Sequence, residues 1–312
     1  MSFSSRVKQE FCKAKLQRTS QKRAMCYGLL LFGRSFGEKG ISLQSECVAA
    51  VKLAADLLAE LTGAIVSTQT ALRRATHAVC TLSVPDSGDV LRVLSYFGHT
   101  GREVHLRLNR ANLEEDTTLV FLRGAFLACG TAFDPEKHYR VEFVTPRMHL
   151  AQDLCTLLLE LPLSLHVRLS RRGASYVVYL HGEAGVEDFL TALGAPNAAM
   201  DVMQARMLKE VRNQVNRQTN FEAANIAKTA SAAARPIRAL QTLFASGGTL
   251  ESLPPELRAL ARLRYENPDL SLRELGQRLD PPLSRSGVNH RLQRITQIAE
   301  KAVREKTGAS SF

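Results

Sequence analysis

Long apolar runs are absent from this sequence. The longest nearly unbroken stretch, Met25 to Gly33, is under half of the roughly 20 residues that a membrane-spanning helix needs. The basic start of the chain, with Arg6, Lys8 and Lys13, leads into no apolar core followed by a small-residue cleavage site. We therefore expect neither membrane insertion nor secretion, and we expect a cytoplasmic protein.

Motifs for metal, nucleotide or acyl-transfer chemistry are also missing. The sequence has no G-x-x-x-x-G-K-[ST], no G-x-S-x-G and no H-E-x-x-H. Its six cysteines form no C-x-x-C pair and mostly fall in apolar periodic runs, where a thiol behaves as a small hydrophobic group, so we interpret them as buried and reduced. Seven of the eight histidines lie singly before residue 198, without ligand spacing. We predict no metal, no cofactor and no catalytic residues.

Acidic residues are too few to balance the basic ones. Lys and Arg number 41 against 30 Asp and Glu, which gives a formal net charge of +11 and a pI near 9.6. Residues 198–312 carry +7 of that excess and residues 1–197 carry +4. An excess of this kind favours an anionic partner, of which nucleic acid is the commonest.

An internal repeat organises the first two hundred of the 312 residues. The run Tyr27-Gly-Leu-Leu-Leu-Phe-Gly33 resembles Arg123-Gly-Ala-Phe-Leu-Ala-Cys129, with Gly28 matching Gly124 at an offset of 96 residues. Two strand-like segments, an amphipathic helix, two more strand-like segments and a last helix complete each half. Small residues let the two opening helices approach closely, and we predict that the halves pair through them: Gly28, Gly33, Gly124, Ala125 and Ala128.

This order resembles the LAGLIDADG homing endonuclease fold. In that family, an acid at the penultimate motif position of each helix holds divalent metal at the scissile phosphates. The corresponding positions here are Gly33 and Cys129, and neither is a carboxylate. Asp134 and Glu136 lie five and seven residues beyond Cys129 without a matching pair in the first half. The resemblance therefore implies a fold that has lost its nuclease activity.

The C-terminal part predicts a helix-turn-helix. Ser271 and Glu274 form a capping box, so a short helix begins there, and the prolines at 281 and 282 end it. Ser284 can cap a second helix whose apolar residues fall in one stripe: Val288, Leu292, Ile295, Ala299 and Ala302. Two short helices across a tight break are typical of this DNA-binding motif.

The second helix carries the candidate DNA-binding residues. Ser284 to Arg294 contains no acid, and the side opposite Val288 holds groups able to hydrogen-bond base edges: Ser286, Asn289, His290, Gln293 and Arg294. We expect the phosphate backbone to be contacted by the free backbone amides that follow Ser284 and by the side chains of Arg285 and Arg291. Further candidate phosphate contacts are basic residues elsewhere in the chain: Arg73, Arg74, Arg171, Arg172 and Arg273.

Four segments resemble the WhiA family of bacterial regulators. They are M-S-F-S-S at the start, F-L-R-G-A-F-L-A-C-G-T-A-F-D-P-E-K at 121–137, V-R-N-Q-V-N-R-Q-T-N-F-E-A-A-N-I-A-K-T at 211–229, and the run from Asn267 through the second helix. Membership implies a degenerate LAGLIDADG domain followed by a DNA-binding domain. It also implies a transcriptional role tied to sporulation septation, cell division and chromosome segregation.

We therefore predict an α+β protein: a pseudo-two-fold LAGLIDADG-like N-terminal domain of two αββαββα halves, followed by an all-α helix-turn-helix domain. The predicted boundaries are 1–197, a helical linker at 198–235, and 236–312. The predicted function is sequence-specific binding of double-stranded DNA at the nucleoid, without catalysis. Two alternatives stay open: a scaffold that recruits another transcription or division protein, such as a sigma factor, and a working homing nuclease.

Overall fold

The computed structural model describes residues 1–73 and 77–308. The chain divides into two compact units, an N-terminal unit (Met1–Val211) and a C-terminal unit (Arg212–Phe312). The predicted domain boundaries at 197 and 235 both fall inside one helix, Pro196–Ala245, and they stay predictions. Among the described residues, no helix is both long enough and apolar enough to cross a membrane.

The N-terminal unit repeats one order of elements twice, as predicted. A first helix, α1 (Phe3–Lys13), precedes the repeat. The first half consists of α2 (Thr19–Leu31), β1 (Ser35–Gly37), β2 (Gly40–Ser45), α3 (Val48–Thr62), β3 (Ser67–Arg73), β4 (His77–Ser83) and α4 (Ser87–Tyr96). Two short 3-10 helices follow, Arg110–Asn112 and Glu115–Thr117. The second half consists of α5 (Thr118–Cys129), β5 (Gly130–Ala132), β6 (Arg140–Thr145), α6 (Met148–Leu159), β7 (His166–Arg172), β8 (Ser175–His181) and α7 (Glu183–Ala192).

Each half builds a four-stranded antiparallel sheet with the same connectivity. The strand orders are β1-β2-β4-β3 and β5-β6-β8-β7. Side chains alternate between faces along a strand, and in β2 Ile41 and Leu43 are buried while Ser42 and Gln44 are partly exposed. The buried face packs against the helices in one continuous core. The matching element order and strand order confirm the predicted doubling.

The two halves meet where α2 crosses α5. A Cβ on Gly28 would lie 2.8 Å from the backbone N of Ala125 and still closer to the carbonyl oxygen of Phe121. A Cβ on Gly124 would overlap the carbonyl oxygen of Met25 in the same way. The predicted close approach through these two glycines is confirmed, because only a residue without a Cβ leaves room for the opposite backbone.

Gly33 does not take part in this crossing, so that part of the prediction is wrong. Helix α2 ends at Leu31, and a Cβ on Gly33 would lie 2.7 Å from the carbonyl oxygen of Ser42 in β2. The chain turns from the helix into the sheet at this point. Gly33 is needed for that turn rather than for helix pairing.

Helix α1 was not predicted from the sequence. Ser2 caps it by accepting a hydrogen bond from the backbone N–H of Ser5, and Phe3, Val7 and Phe11 are buried on one side. Such a short helix shows only three apolar positions, which is a weak periodic signal. The helix is stabilised by packing against the rest of the unit rather than by its own sequence.

The C-terminal unit is helical. Its elements are the later part of α8 (Pro196–Ala245), a 3-10 helix (Leu250–Ser252), α9 (Pro255–Glu266), α10 (Leu272–Gln277) and α11 (Arg285–Gly308). Leu257, Leu275, Val288, Leu292 and Ile295 lie in its main core, which confirms the predicted apolar stripe of the last helix. The predicted α+β fold with a helical C-terminal unit is therefore correct.

Candidate nucleic-acid interface

The predicted capping interactions define the two helices of the motif. The hydroxyl of Ser271 accepts a hydrogen bond from the backbone N–H of Glu274 at 3.3 Å, and the Glu274 carboxylate accepts from the N–H of Ser271 at 2.8 Å. Hydrogen bonds from the side chain and the backbone N–H of Ser271 to the carboxylate lower the pKa of Glu274, because they favour its charged form. Ser284 accepts from the N–H of Gly287 at 3.1 Å and so begins α11.

Gly276 allows the turn between these helices to close. A Cβ on this residue would overlap the carbonyl oxygen of Leu283 and lie 3.2 Å from its carbonyl carbon. The backbone N–H of Leu283 also donates to the carbonyl of Gly276 at 2.9 Å. Gly276 could not be recognised from the sequence as essential for the turn, because its contact with Leu283 depends on how the turn folds back onto α10.

Arg264 on α9 supports the loop that leads into the motif. It is almost fully buried, and its Nη1 donates to the carbonyl oxygens of Pro268 at 3.2 Å and Leu270 at 2.6 Å. Burial lowers the pKa of its guanidinium, an effect that the nearby Asp269 opposes. A buried arginine inside an apolar periodic helix is not distinguishable in sequence from an exposed one, so this residue was missed.

Arg264→Met is expected to destabilise the C-terminal unit by about 2 kcal/mol, because two buried carbonyl groups lose their charged donor. Arg262 lies on the same helix and is exposed, so Arg262→Met is the matched control and should change stability by less than about 0.5 kcal/mol. Hydrogen exchange of peptides from α10 and α11 measures both variants. Equal exchange in the two variants would show that the Arg264 hydrogen bonds do not hold the loop.

Most of the predicted DNA-binding side chains are exposed on the first turns of α11. Asn289 and His290 point away from the core formed by Val288 and Leu292. The exposed members of the predicted set are Ser284, Arg285, Ser286, Asn289, His290, Gln293 and Arg294, together with Arg273 on α10. The segment from Ser284 to Arg294 itself contains no acidic residue. The structure thus brings together the side chains that the sequence placed on one side of the helix.

Arg291 and Arg294 also contact α9. Arg291 is half-buried, and its Nη1 donates to the backbone carbonyl of Glu256 at 3.3 Å. Arg294 lies 3.6 Å from the Glu256 carboxylate, and both side chains are about half exposed. An exposed ion pair of this kind is weak and can be exchanged for another anion. The two arginines therefore connect the candidate surface to the scaffold that carries it.

The basic residues predicted at the hairpins of the N-terminal unit have different surroundings. Arg172 donates through both Nη atoms to the buried carboxylate of Glu142, at 3.2 and 3.0 Å, and this pairing raises the pKa of Arg172. Arg171 is exposed and donates to the carbonyl of Gly173 at 3.2 Å. Arg73 ends β3, and Arg74 lies outside the described residues. Their role in phosphate contact stays a prediction, and Arg172 already has a counter-charge.

The surroundings of Gly33 and Cys129, the positions that correspond to the nuclease acids, include the guanidinium group of Arg147. Arg147 donates from Nη1 to the carbonyl oxygens of Leu31 at 3.0 Å and Gly33 at 3.3 Å, so a guanidinium closes the end of α2. Burial lowers the pKa of Arg147 and raises that of Cys129 to about 12. Asp134, the acid nearest in sequence, instead accepts a hydrogen bond from the backbone N–H of Glu136 at 3.1 Å.

The histidines are not all single, which corrects the sequence interpretation. The rings of His105 and His149 lie 4.2 Å apart between centroids, and those of His166 and His181 stack at 5.6 Å. In the second pair, His166 on β7 lies directly opposite His181 on the neighbouring strand β8. Within residues 1–73 and 77–308, no three His, Cys, Asp or Glu side chains are grouped so that they could hold a metal ion.

Comparisons with known proteins agree with this architecture. The family description "WhiA LAGLIDADG-like domain" matches residues 118–212, and "WhiA C-terminal HTH domain" matches residues 215–299. The structure is similar to full-length DUF199/WhiA from Thermatoga maritima, with a TM-score of 0.58 at 24% identity over 96% of this chain and 99% of the other. That likeness supports the fold.

Relatives in sequence cover almost the whole chain. A "Probable cell division protein WhiA" from Thermoanaerobacter sp. (strain X514) is 35% identical, over 96% of this chain and 98% of its own length. A protein of the same name from Clostridium tetani (strain Massachusetts / E88) is 31% identical, over 98% of this chain and 99% of its own. A repeated fold with a LAGLIDADG-like half, a capped helix-turn-helix and these relatives lead to one conclusion: the chain belongs to the WhiA family.

Proposed function

We propose that this protein is a sequence-specific DNA-binding transcription regulator that acts on double-stranded DNA without cutting it. The observation that carries the proposal is the run of exposed side chains between Ser284 and Arg294 at the start of α11, a segment that contains no acidic residue. Amide, imidazole and hydroxyl groups on the side of this helix that faces away from the core suit hydrogen bonds to base edges in a major groove. The net positive charge of the C-terminal part supports binding to the phosphate backbone.

The relatives named as cell division proteins support a role in that process. We propose that the genes controlled by this chain serve cell division, chromosome segregation or sporulation septation. A DNA-binding role of this kind implies a cytoplasmic protein associated with the nucleoid. A second candidate partner is another transcription or division protein, which a chain lacking residues 251–312 would still bind although it no longer bound DNA.

Two kinds of substitution separate base reading from phosphate contact. Asn289→Ala and His290→Ala should each lower the preference for a selected site over random DNA by about 1–3 kcal/mol, because each removes a group that reads a base. Arg285→Ala should weaken binding to all sequences alike and reduce the salt dependence of log K by about one unit. Titrations of labelled duplexes at several salt concentrations measure both effects.

The control for these variants is Gln241→Ala, which removes an exposed amide from α8 in the same unit. It should leave both affinity and salt dependence unchanged. Identical behaviour of Asn289→Ala and Arg285→Ala would contradict the division of roles. The cognate site is first obtained by selecting bound fragments from random DNA.

A nuclease assay tests the remaining part of the proposal. Purified protein incubated with magnesium and supercoiled DNA should leave the plasmid intact, because the two positions that correspond to the nuclease acids are Gly33 and Cys129. Magnesium-dependent nicking would contradict the proposal. If the nicking survived in Asp134→Ala and Glu136→Ala variants, the site would also lie away from these two acids.

A further inference from the structure

Two cysteines far apart in sequence meet at the junction of α1 and α3. Cys12 lies in the last turn of α1, and Cys47 is the residue immediately before the first turn of α3. The two helices pack against each other, and the two thiols share a hydrogen bond. Both residues are half-buried, not buried as the sequence suggested: they pack against the core, and part of each residue is exposed to solvent.

The surroundings of Cys47 favour its thiolate. The hydrogen bond from Cys12 lowers the pKa of Cys47 most, and the backbone N–H groups of Ala50 and Ala49 and the charge of Lys8 lower it further, against the opposing effect of burial. The pKa of Cys12 is raised, because this thiol donates to Cys47 and is itself partly buried. The start of a helix and a nearby ammonium group are the arrangement that activates a cysteine.

Lys8 is the charged partner of this site. Burial lowers the pKa of its ammonium group, and the neighbouring Cys129, Cys47, Glu46 and Cys12 oppose that shift. Lys8 is half-buried, and a partly desolvated ammonium is stabilised by negative charge nearby, which the Glu46 carboxylate and a thiolate at Cys47 supply. The two groups therefore favour each other's charged form.

The other cysteines lack this combination. Cys26 and Cys80 are buried in the core, and burial raises the pKa of Cys26. Burial also raises the pKa of Cys129 and of Cys155. Cys155 is half-buried like the pair, so it serves as the comparison for reactivity.

We propose that Cys47 and Cys12 form a dithiol site that reacts with hydroperoxides and closes to an intramolecular disulfide. The Cys47 thiolate attacks one peroxide oxygen, so an S–O bond forms, the O–O bond breaks, and hydroxide leaves with the electron pair and takes a proton to become water. The sulfur of Cys12 then attacks the Cys47 sulfenic acid. The S–S bond forms, the S–O bond breaks, and the leaving hydroxide takes the Cys12 proton. Two thiols and one hydrogen peroxide thus give one disulfide and two waters.

The disulfide would join α1 covalently to α3. Helix α1 also holds the start of α8, because the Glu10 carboxylate accepts hydrogen bonds from the backbone N–H groups of Asn197 and Ala198, both at 3.1 Å. Arg6 adds an ion pair with Asp201 at 2.7 Å. The oxidised pair would therefore fix a helix that connects two parts of the N-terminal unit.

The test uses the full-length reduced protein and hydrogen peroxide in small excess. Non-reducing tryptic digestion should yield a disulfide-linked pair of peptides, residues 9–13 joined to residues 40–52, that dithiothreitol separates. Cys12→Ser should accumulate sulfenic acid at Cys47, which a dimedone label reports. Cys47→Ser should leave Cys12 reduced. Cys155→Ser, the control, should form the linked peptides as fast as the unchanged protein.

Alkylation provides a second measurement that does not depend on disulfide formation. At pH 7, iodoacetamide should modify Cys47 at least about tenfold faster than Cys155, because its thiolate fraction is larger. Lys8→Gln should slow that reaction severalfold, and circular dichroism checks that this variant is folded. The proposal would be overturned if peroxide treatment gave no linked peptides, or if iodoacetamide modified Cys155 as fast as Cys47.

Discussion

Gly28→Ala is expected to destabilise the N-terminal unit by about 3 kcal/mol or more. The new methyl group would overlap the carbonyl oxygen of Phe121 and lie 2.8 Å from the backbone N of Ala125. Both are main-chain atoms of α5, so no side chain can rotate away to make room. The helices can accept the methyl group only by moving apart, and this would open packing along the whole α2–α5 contact.

Urea unfolding followed by circular dichroism measures the loss, and hydrogen exchange of α2 and α5 peptides assigns it to this unit. Gly88→Ala is the matched control. Gly88 is exposed at the start of α4, and its added Cβ would meet no backbone atom but only Oδ2 of Asp86, at 2.9 Å, the side-chain oxygen that caps the helix. We expect a change of less than about 1 kcal/mol there. Equal effects of the two variants would mean that the helices are not in close contact at Gly28.

Gly276→Ala is expected to abolish DNA binding by disrupting the turn between α10 and α11. Its Cβ would overlap the carbonyl oxygen of Leu283, and the Leu283 N–H is bonded to the carbonyl of Gly276 itself at 2.9 Å. The loop must therefore move as one piece, which displaces the first turn of α11 and the side chains proposed to read bases. We expect the C-terminal unit to lose about 3 kcal/mol of stability.

Gly287→Ala is the control, since this glycine lies on α11 and its Cβ would meet the Ser284 hydroxyl at an ordinary 3.4 Å. It should leave the unit at least as stable, because alanine is the better helix former. Hydrogen exchange of the α10 and α11 peptides reports stability, and a duplex titration reports binding. Full DNA affinity in Gly276→Ala would show that this turn does not position α11.

The strands and helices of the repeat followed closely from the sequence. The predicted order of a helix, two strands, a helix, two strands and a last helix is the order that the structure shows in each half. Alternation in strands and a 3.6-residue period in helices are local properties, and each half shows them twice. The capping box at Ser271 is equally local, because both of its partners lie within four residues of each other.

The charge pairs and side-chain clusters could not be predicted in this way. Arg172 looked like a free phosphate contact, and the structure gives it Glu142 as a partner 30 residues earlier in the chain. Arg264 was not singled out in the sequence, and the structure shows that it supports a loop from inside the core. In both cases the role depends on which segments pack together, which local periodicity does not specify.

The candidate DNA-binding surface could be predicted from the sequence in part. Its helix, its cap and its exposed side follow from spacing alone, since Val288 and Leu292 fix the buried side and therefore the opposite one. The contacts of Arg291 and Arg294 with Glu256 do not follow from spacing, because they depend on how α9 packs against α11. Family resemblance supplied the biological role, which neither spacing nor packing contains.

The sequence by itself determined the doubled α+β architecture, the capped helix pair and the missing acids at Gly33 and Cys129, because each of these depends on residue type and on spacing within one segment. Only the tertiary structure decided that Gly33 lies in a turn outside the predicted α2–α5 crossing, that Gly276 meets Leu283, and that Cys12 meets Cys47 beside Lys8. Cys47 lies 35 residues beyond Cys12, and a turn of the chain brings Leu283 back to Gly276. These contacts are set by how the core packs, which a linear pattern does not encode.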